Sequence, residues 1–124
     1  MIKIINLEEL YKKQNELDKF IVDMNFNSIG DEMEIVQHNH IGFLNDRILA
    51  LFTEVGEFAN ATKCFKYWSN KPAESKERLL DEYVDILHFY LSIGNTMQFS
   101  PVEVEAAYLK KYAENIDRQN RGDY

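Results

Sequence analysis

Two glutamates interrupt an apolar run at residues 49–60, which reads Leu-Ala-Leu-Phe-Thr-Glu-Val-Gly-Glu-Phe-Ala-Asn. In a helix, residues three apart lie on one face with their Cβ atoms about 5–6 Å apart, so Glu54 and Glu57 point the same way and repel each other. Residues 79–89 repeat the pattern, because Glu82 and Asp85 keep the same spacing among leucines and aromatics. Four carboxylates in otherwise apolar helices therefore need a common partner.

Counting predicts that the two acidic pairs lie side by side. If the first helix ends near Cys64 or Phe65 and the second begins near Ser75 or Lys76, each pair is centred roughly eight or nine residues from the loop, which is about 11–14 Å along a helix. In an antiparallel hairpin the pairs are then level, and each close pair of charges costs about 4 kcal/mol at an effective dielectric near 20. A divalent cation offsets this repulsion, and oxygen ligands favour Mg²⁺, with Mn²⁺ as a substitute, over Zn²⁺. The predicted metal ligands are Glu54, Glu57, Glu82 and Asp85.

The composition limits the class of protein. With 124 residues, 45% of them hydrophobic, we expect one domain over residues 1–124. The net charge of −7 argues against an extended nucleic-acid surface, which needs clustered Lys and Arg. The single cysteine, Cys64, excludes an internal disulfide. Neither a signal peptide nor a membrane-spanning run is visible, so we expect a cytoplasmic protein without a membrane partner.

Few glycines and prolines and a lack of alternating patterns favour an all-α fold, a compact antiparallel bundle of about four to five helices. The predicted helices span about residues 7–24, 43–64, 76–97 and 101–120. Residues 25–42 lose the helical period and read as a loop with a short helical piece at 31–37. Its His38-Asn39-His40 tripeptide lacks the hairpin and further histidine of the nucleases known by it, so we read it as a solvated loop.

The first helix begins at Asn6, a capping residue, and its apolar stripe is set by Leu7, Leu10, Tyr11, Leu17, Ile21 and Met24. This helical periodicity places Gln14 and Asp18 on the inward face, where polar groups need hydrogen-bond partners. They either bond to a neighbouring helix or a trapped water, or line a pocket in which the amide matches the edge of a pyrimidine.

Alternatives also stay open in the two acidic helices and the connector between them. Gly56 is either required by a packing contact, or it lets a ligand or the second helix come close to the backbone. In the connector, Trp68 either caps the core or covers a base or sugar while Lys66 or Lys71 reaches phosphate. We expect the first acidic helix to bury Ile48, Leu51, Phe52, Val55, Phe58, Ala59 and Thr62, and the second to be the most buried helix of the chain.

His88 follows Asp85 by three residues, as in di-iron bundles, but those need two such motifs. A core histidine, or one that supports the metal ligands, is the better interpretation.

Ser100-Pro101-Val102-Glu103 is the clearest helix start in the sequence. We expect the last helix to pack through Val102, Tyr108, Leu109, Tyr112, Ala113 and Ile116. Beside them, Lys111, Asn115 and Arg118 recur at i, i+4 and i+7. Such a row is either merely solvated or binds a polyphosphate that also contacts a metal.

Taken together, these motifs resemble the dimeric all-α dUTPases, within the MazG-related all-α nucleoside triphosphate pyrophosphatase superfamily. The superfamily pattern is Glu-x-x-Glu followed about two dozen residues later by Glu-x-x-Asp, here Glu54, Glu57, Glu82 and Asp85. Narrower similarities are residues 14–18, residues 64–68 with Lys71-Pro72, and residues 108–111 with Asn115, Arg118, Gln119 and Gly122. The chain departs from the family in being short between Asn95 and Ser100 and in having Asp123 between Gly122 and Tyr124.

The resemblance implies Mg²⁺ bound by the four acids, phosphates held by Lys111 and Arg118, and sugar or base contacts from Asn115, Gln14 and Trp68. It also implies hydrolysis of dUTP at the α-phosphorus to dUMP and pyrophosphate, and a homodimer. We expect Glu54 to be the base, Lys111 and Arg118 to stabilise the leaving group, and the substrate to be bound by Gln14, Asp18, Lys66, Trp68, Lys71, Lys111, Asn115 and Arg118.

Three rival interpretations remain. The same chemistry could act on dCTP or a non-standard nucleotide, because a rotated Gln14 amide serves uracil or cytosine equally. A non-catalytic helical interaction module could use the acids as a structural cation site. A di-iron bundle is the third.

Overall fold

The computed structural model describes residues 4–26 and 43–123, which form four helices and, within those ranges, no strand. These are α1 (Leu7–Phe26), α2 (Phe43–Thr62), α3 (Lys76–Thr96) and α4 (Pro101–Arg121). The all-α prediction is confirmed. The expected helical piece at 31–37 and the His38-Asn39-His40 tripeptide lie outside the described residues.

Helices α2 and α3 form an antiparallel hairpin. Arg47 near the start of α2 donates to Thr96 at the end of α3, and the Phe58 and Tyr83 rings lie 5.8 Å apart near the loop. The helix α2 ends at Thr62, two residues earlier than predicted, because Lys63 adopts a positive φ of 58°. The Glu74 amide then donates to the Ala61 carbonyl at 3.0 Å and closes the loop.

Helix α1 packs against the C-terminal part of α3. Its start is capped by Asn6, whose Oδ1 accepts from the Glu9 amide at 2.9 Å, as predicted. Tyr11 is only 3% exposed, and its carbonyl accepts from Asn95 Nδ2 at 3.0 Å. A Cβ on Gly94 would lie 2.9 Å from Tyr11 Cε1 and 3.1 Å from its hydroxyl oxygen, so this helix contact requires glycine.

Helix α4 begins with the predicted capping box, in which the Ser100 hydroxyl accepts from the Glu103 amide and the Glu103 carboxylate accepts from the Ser100 amide. It ends at Gly122, whose φ of 69° suits a glycine. Helix α4 contacts mainly α1 and contains no buried residue.

Much of the predicted core is exposed in the single chain. The expectation of burial was wrong for Leu17, Ile21, Met24, Ile48, Phe52, Val55, Val102, Tyr108, Leu109, Tyr112 and Ile116. Burial in α3 is confined to its C-terminal part, at Leu91, Ser92 and Gly94, while Tyr83, Val84, Leu87 and Tyr90 are exposed. The physical reason is that each helix has few neighbours within one chain. These neighbours cover only part of its apolar face, and the rest stays exposed.

Candidate active site

The hairpin brings the four predicted acids together. Each residue offers one carboxylate oxygen, and these oxygens all lie within 4.8 Å of one another: Glu54 and Glu57 from α2, Glu82 and Asp85 from α3. This agrees with the count from the loop, because antiparallel helices place residues equally far from the turn at one level. We refer to these residues as the acidic cluster.

The acidic cluster holds unbalanced negative charge. Burial, together with the hydrogen bond and charge of Glu57 and the charges of Asp85 and Glu82, raises the pKa of Glu54 to about 7. Burial and the neighbouring acids also raise the pKa of Glu82, although Arg78 opposes this. Within the described part of the chain, Glu54 Oε2 and Glu82 Oε2 are buried without a hydrogen-bond partner. Buried acceptors without donors cost free energy, so the site suits a cation with oxygen ligands.

Glu54 and Glu82, each with one buried oxygen, differ in their partners. Arg78 Nη2 donates to Glu82 Oε1 at 3.2 Å, one helical turn away on α3. No ion pair is present for Glu54 among the described residues, and its neighbours in the acidic cluster all carry like charge. Of these two glutamates, Glu54 is therefore the one whose charge is less compensated.

A second polar group lies where α1 crosses the hairpin. Asp18 accepts from Gln14 Nε2 at 2.9 Å and from the Ser92 hydroxyl at 2.6 Å, and its Oδ2 lies 3.9 Å from Arg47 Nη2. Gln14 Oε1 lies 2.7 Å from His88 Nδ1. We call Gln14, Asp18, Arg47, His88 and Ser92 the polar network. Sequence reasoning placed Gln14 and Asp18 on this inward face, and both have partners on other helices.

The polar network adjoins the acidic cluster. Asp85 and His88 are three residues apart on α3, so their side chains lie on one face with Cβ atoms about 5–6 Å apart. A ligand that touches the acidic cluster and extends by one helical turn would meet His88.

Three members of the polar network were not predicted as site residues: Arg47, His88 and Ser92. The signal for two of them was present. His88, Ser92 and Asn95 recur at spacings of four and three after Asp85, which draws a polar line along an otherwise apolar part of α3. Arg47 had no such signal, because its role depends on where α1 crosses the hairpin.

The connector after α2 exposes its aromatic residues. Trp68 contacts Phe65 and Tyr67 edge-on, with ring centroids 5.9 and 5.1 Å apart, and remains 64% exposed. It therefore does not cap the core of the single chain. Lys66 Nζ lies 5.9 Å from the centroid of the Phe65 ring, and Lys71 is exposed. Lys66 is half-buried, and the contact of either lysine with phosphate stays a prediction.

The polar row on α4 consists of Lys111, Asn115 and Arg118 and is exposed. No hydrogen bond or ion pair of the described residues joins it to the acidic cluster. Lys111 Nζ instead lies 3.6 Å from Glu114 on its own helix, and Asn115 and Arg118 are exposed. Helix α4 packs mainly on α1. The structure thus assembles the acids and the polar network within one chain, and no hydrogen bond or ion pair of the described residues joins Lys111, Asn115 or Arg118 to them.

A family model described as dUTPase matches residues 6–104, which is most of the chain. The chain belongs to the dUTPase family. It is accordingly a nucleotide hydrolase of the diphosphatase type, with a nucleotide as substrate. No curated protein and no solved structure matches it.

The dUTPase match includes the acidic cluster, the polar network and the connector aromatics. It ends before Lys111, Asn115 and Arg118, so the role of that row rests on the sequence alone. Across the described ranges, no helix combines the length and apolarity needed to cross a membrane.

Proposed function

We propose that this dUTPase-family chain hydrolyses dUTP to dUMP and pyrophosphate by Mg²⁺-dependent attack of water on the α-phosphorus. The observation that carries the proposal is the acidic cluster, in which four carboxylates converge and two of their buried oxygens lack a hydrogen-bond donor. Solvated surface acids would have no need to converge in this way.

The acidic cluster fits Mg²⁺ as its ligand. Glu54, Glu57, Glu82 and Asp85 supply only carboxylate oxygens, the donor type that Mg²⁺ prefers, and Mn²⁺ accepts the same set. The cation, when bound, would draw charge from the phosphate oxygens and lower the pKa of a coordinated water.

We assign Glu54 as the base that takes the proton of the attacking water. Its Oε2 is buried and free of donors among the described side chains, whereas Arg78 partly neutralises the competing Glu82. A carboxylate without a cation partner is the stronger proton acceptor. Lys111 and Arg118 would stabilise the negative charge that develops on the leaving pyrophosphate.

The proposed substrate contacts combine the residues predicted from the sequence with the polar network. The polar network, with Gln14 and Asp18, would face the base, and Trp68 would cover the base or sugar with its exposed ring. The cations Lys66, Lys71, Lys111 and Arg118 would bind phosphate oxygens, and Asn115 would contact the sugar.

A homodimer is part of the proposal. Large exposed apolar side chains on α4 form a stripe at Val102, Leu109 and Ile116, spaced seven residues apart on one side of the helix. Apolar surface of this kind marks interaction sites, and a second copy of the chain would cover it. In such a dimer, Lys111, Asn115 and Arg118 of one copy would lie near the acidic cluster of the other.

The test is an assay of the purified protein with Mg²⁺ against a panel of deoxyribonucleotides and ribonucleotides, with chromatography of the products. We expect dUMP and pyrophosphate from dUTP in preference to dCTP. Hydrolysis in H₂¹⁸O places the label in dUMP if water attacks the α-phosphorus, and in pyrophosphate if it attacks the β-phosphorus.

Two outcomes would overturn the proposal. Equal or faster hydrolysis of dCTP or a modified nucleotide would assign the chain to the related pyrophosphatases instead. No cleavage of any nucleotide, together with stabilisation by Mg²⁺, would identify a non-catalytic module with a structural cation.

A further inference from the structure

The amide of Gln14 has a fixed orientation. An ionised carboxylate accepts on both of its oxygens, and Asp18 Oδ2 already faces two donors, the Ser92 hydroxyl at 2.6 Å and the Arg47 guanidinium at 3.9 Å. Only the NH₂ group of Gln14 can therefore face Asp18 Oδ1, at 2.9 Å. This orientation follows from the chemistry of the partner, because a carboxylate oxygen accepts and an amide NH₂ group donates.

The fixed amide in turn sets the proton on His88. With its NH₂ group bonded to Asp18, Gln14 presents Oε1 to His88 Nδ1 at 2.7 Å. Two acceptors would repel at this distance, so Nδ1 must carry the proton. A neutral imidazole with Nδ1 protonated has a lone pair at Nε2. No partner bonds to Nε2 within residues 4–26 and 43–123, and His88 is exposed as a residue whereas Gln14 is only 5% exposed.

We infer that His88 Nε2 is the acceptor that reads the base, and that Gln14 and Asp18 are positioning residues that act through it. The inference rests on the proposed function, since His88 lies one helical turn from the acidic cluster that would hold the phosphates. Uracil carries a hydrogen on its Watson–Crick ring nitrogen N3 and donates to this acceptor. Cytosine has a bare lone pair at N3 and would meet a second lone pair. This arrangement selects pyrimidines that have an N3–H.

We call Asp18, Gln14 and His88, bonded in that order, the relay. It decides between uracil and cytosine, which the sequence left open. A free glutamine amide serves uracil or cytosine after a half turn, but this amide cannot turn without placing its carbonyl against the Asp18 carboxylate. A site that leaves its polar groups unpaired with the wrong substrate rejects it strongly.

Nitrogen-15 NMR of the imidazoles tests the tautomer directly, at about pH 8.5, above the range in which an ordinary imidazole titrates. His88→Asn identifies the signals, since His38 and His40 also contribute. We expect a protonated Nδ1 and an unprotonated Nε2 in the wild type, and a loss of this preference in Gln14→Ala. A wild-type His88 with its proton on Nε2 would overturn the inference, whether or not the protein hydrolyses a nucleotide.

Titration with dUMP and with dCMP under the same conditions tests the contact itself. We expect dUMP, but not dCMP, to shift the His88 Nε2 signal. Equal shifts with both nucleotides, or none with either, would contradict base reading by His88. Because these are binding measurements, they hold even if the hydrolysis assay fails.

The specificity ratio tests the relay as a whole. In Asp18→Asn the new amide can donate to Gln14, so Gln14 can turn and His88 can change tautomer. The ratio of kcat/KM for dUTP to that for dCTP should fall roughly ten-fold or more. The matched control is Asn95→Ala, which removes a hydrogen bond of the same α1–α3 contact without touching the polar network. It should leave the ratio unchanged. An unchanged ratio in Asp18→Asn, or an equal fall in both variants, would contradict the relay.

Discussion

At the scale of single residues, Glu54 differs from a solvated surface acid in its pKa. Burial first, and three neighbouring acids second, raise its pKa to about 7. Below about pH 7 and without a cation, the folded protein therefore favours the protonated form of this group, whereas in the unfolded chain the pKa of a glutamate is near 4.5. A divalent cation needs the carboxylate and competes with the proton.

The sign of the pH dependence follows from this raised pKa. Between pH 4.5 and about 7 the folded state binds the Glu54 proton and the unfolded state releases it, so this group's contribution to stability falls as the pH rises. We predict that the metal-free wild type loses more thermal stability over this window than Glu54→Gln does. Stabilisation by added Mg²⁺ should grow over the same window in the wild type. Differential scanning calorimetry in a chelator and in Mg²⁺ measures both, and parallel curves for the two proteins would contradict the prediction.

Residue patterns placed several polar side chains correctly but did not predict what they bind. The helical period placed Gln14 and Asp18 on the inner face of α1 and the four acids at one level of the hairpin. It could not predict that Ser92, 74 residues away along the chain, donates to Asp18. That contact depends on the angle and depth at which α1 crosses α3, which no period along one helix encodes.

At the scale of helices, the mid-helix glycines Gly94 and Gly56 differ in the space beside their backbone. A Cβ on Gly94 would press on the buried Tyr11 ring, whereas a Cβ on Gly56 would meet nothing within 4 Å. Of the alternatives open for Gly56, close approach of the second helix is therefore not needed within one chain.

The two glycines give a matched pair of variants. Gly94→Ala should lower the free energy of unfolding by about 1–3 kcal/mol, because Tyr11 must move, despite the better helix propensity of alanine. Gly56→Ala should raise it by up to about 1 kcal/mol through propensity alone. Urea denaturation at one protein concentration measures both. A loss of stability in Gly56→Ala would show that another body, such as a second copy, packs on that position.

Capping chemistry made some helix ends predictable and left others in error. Ser100 with Glu103 fixed the start of α4, and Asn6 fixed that of α1. The end of α2 was misplaced because Lys63 takes a left-handed conformation that its residue type does not favour. Burial along α4 was misjudged because an amphipathic pattern shows that a face needs cover, but not that the cover lies in the same chain.

At the scale of the whole molecule, the exposed stripe on α4 predicts self-association. The wild type should behave in sedimentation equilibrium as twice the chain mass of 14.6 kDa. Ile116→Asp, which places a charge in the stripe, should raise the dimer dissociation constant at least ten-fold, by about 1.4 kcal/mol. Lys110→Asp, on a different side of the same helix, is the control and should not. A monomeric wild type at assay concentrations would contradict the dimer.

The claim on which the function depends is that four carboxylates from two helices together bind one or more divalent cations. Electron paramagnetic resonance of Mn²⁺, titrated into the purified protein, separates free from bound ion. We predict saturable binding that Mg²⁺ displaces, at least roughly ten-fold weaker in Glu57→Gln and unchanged in Glu77→Gln, an acid on α3 outside the acidic cluster. Mn²⁺ that stays free in the wild type, or binds all three proteins alike, would contradict the claim.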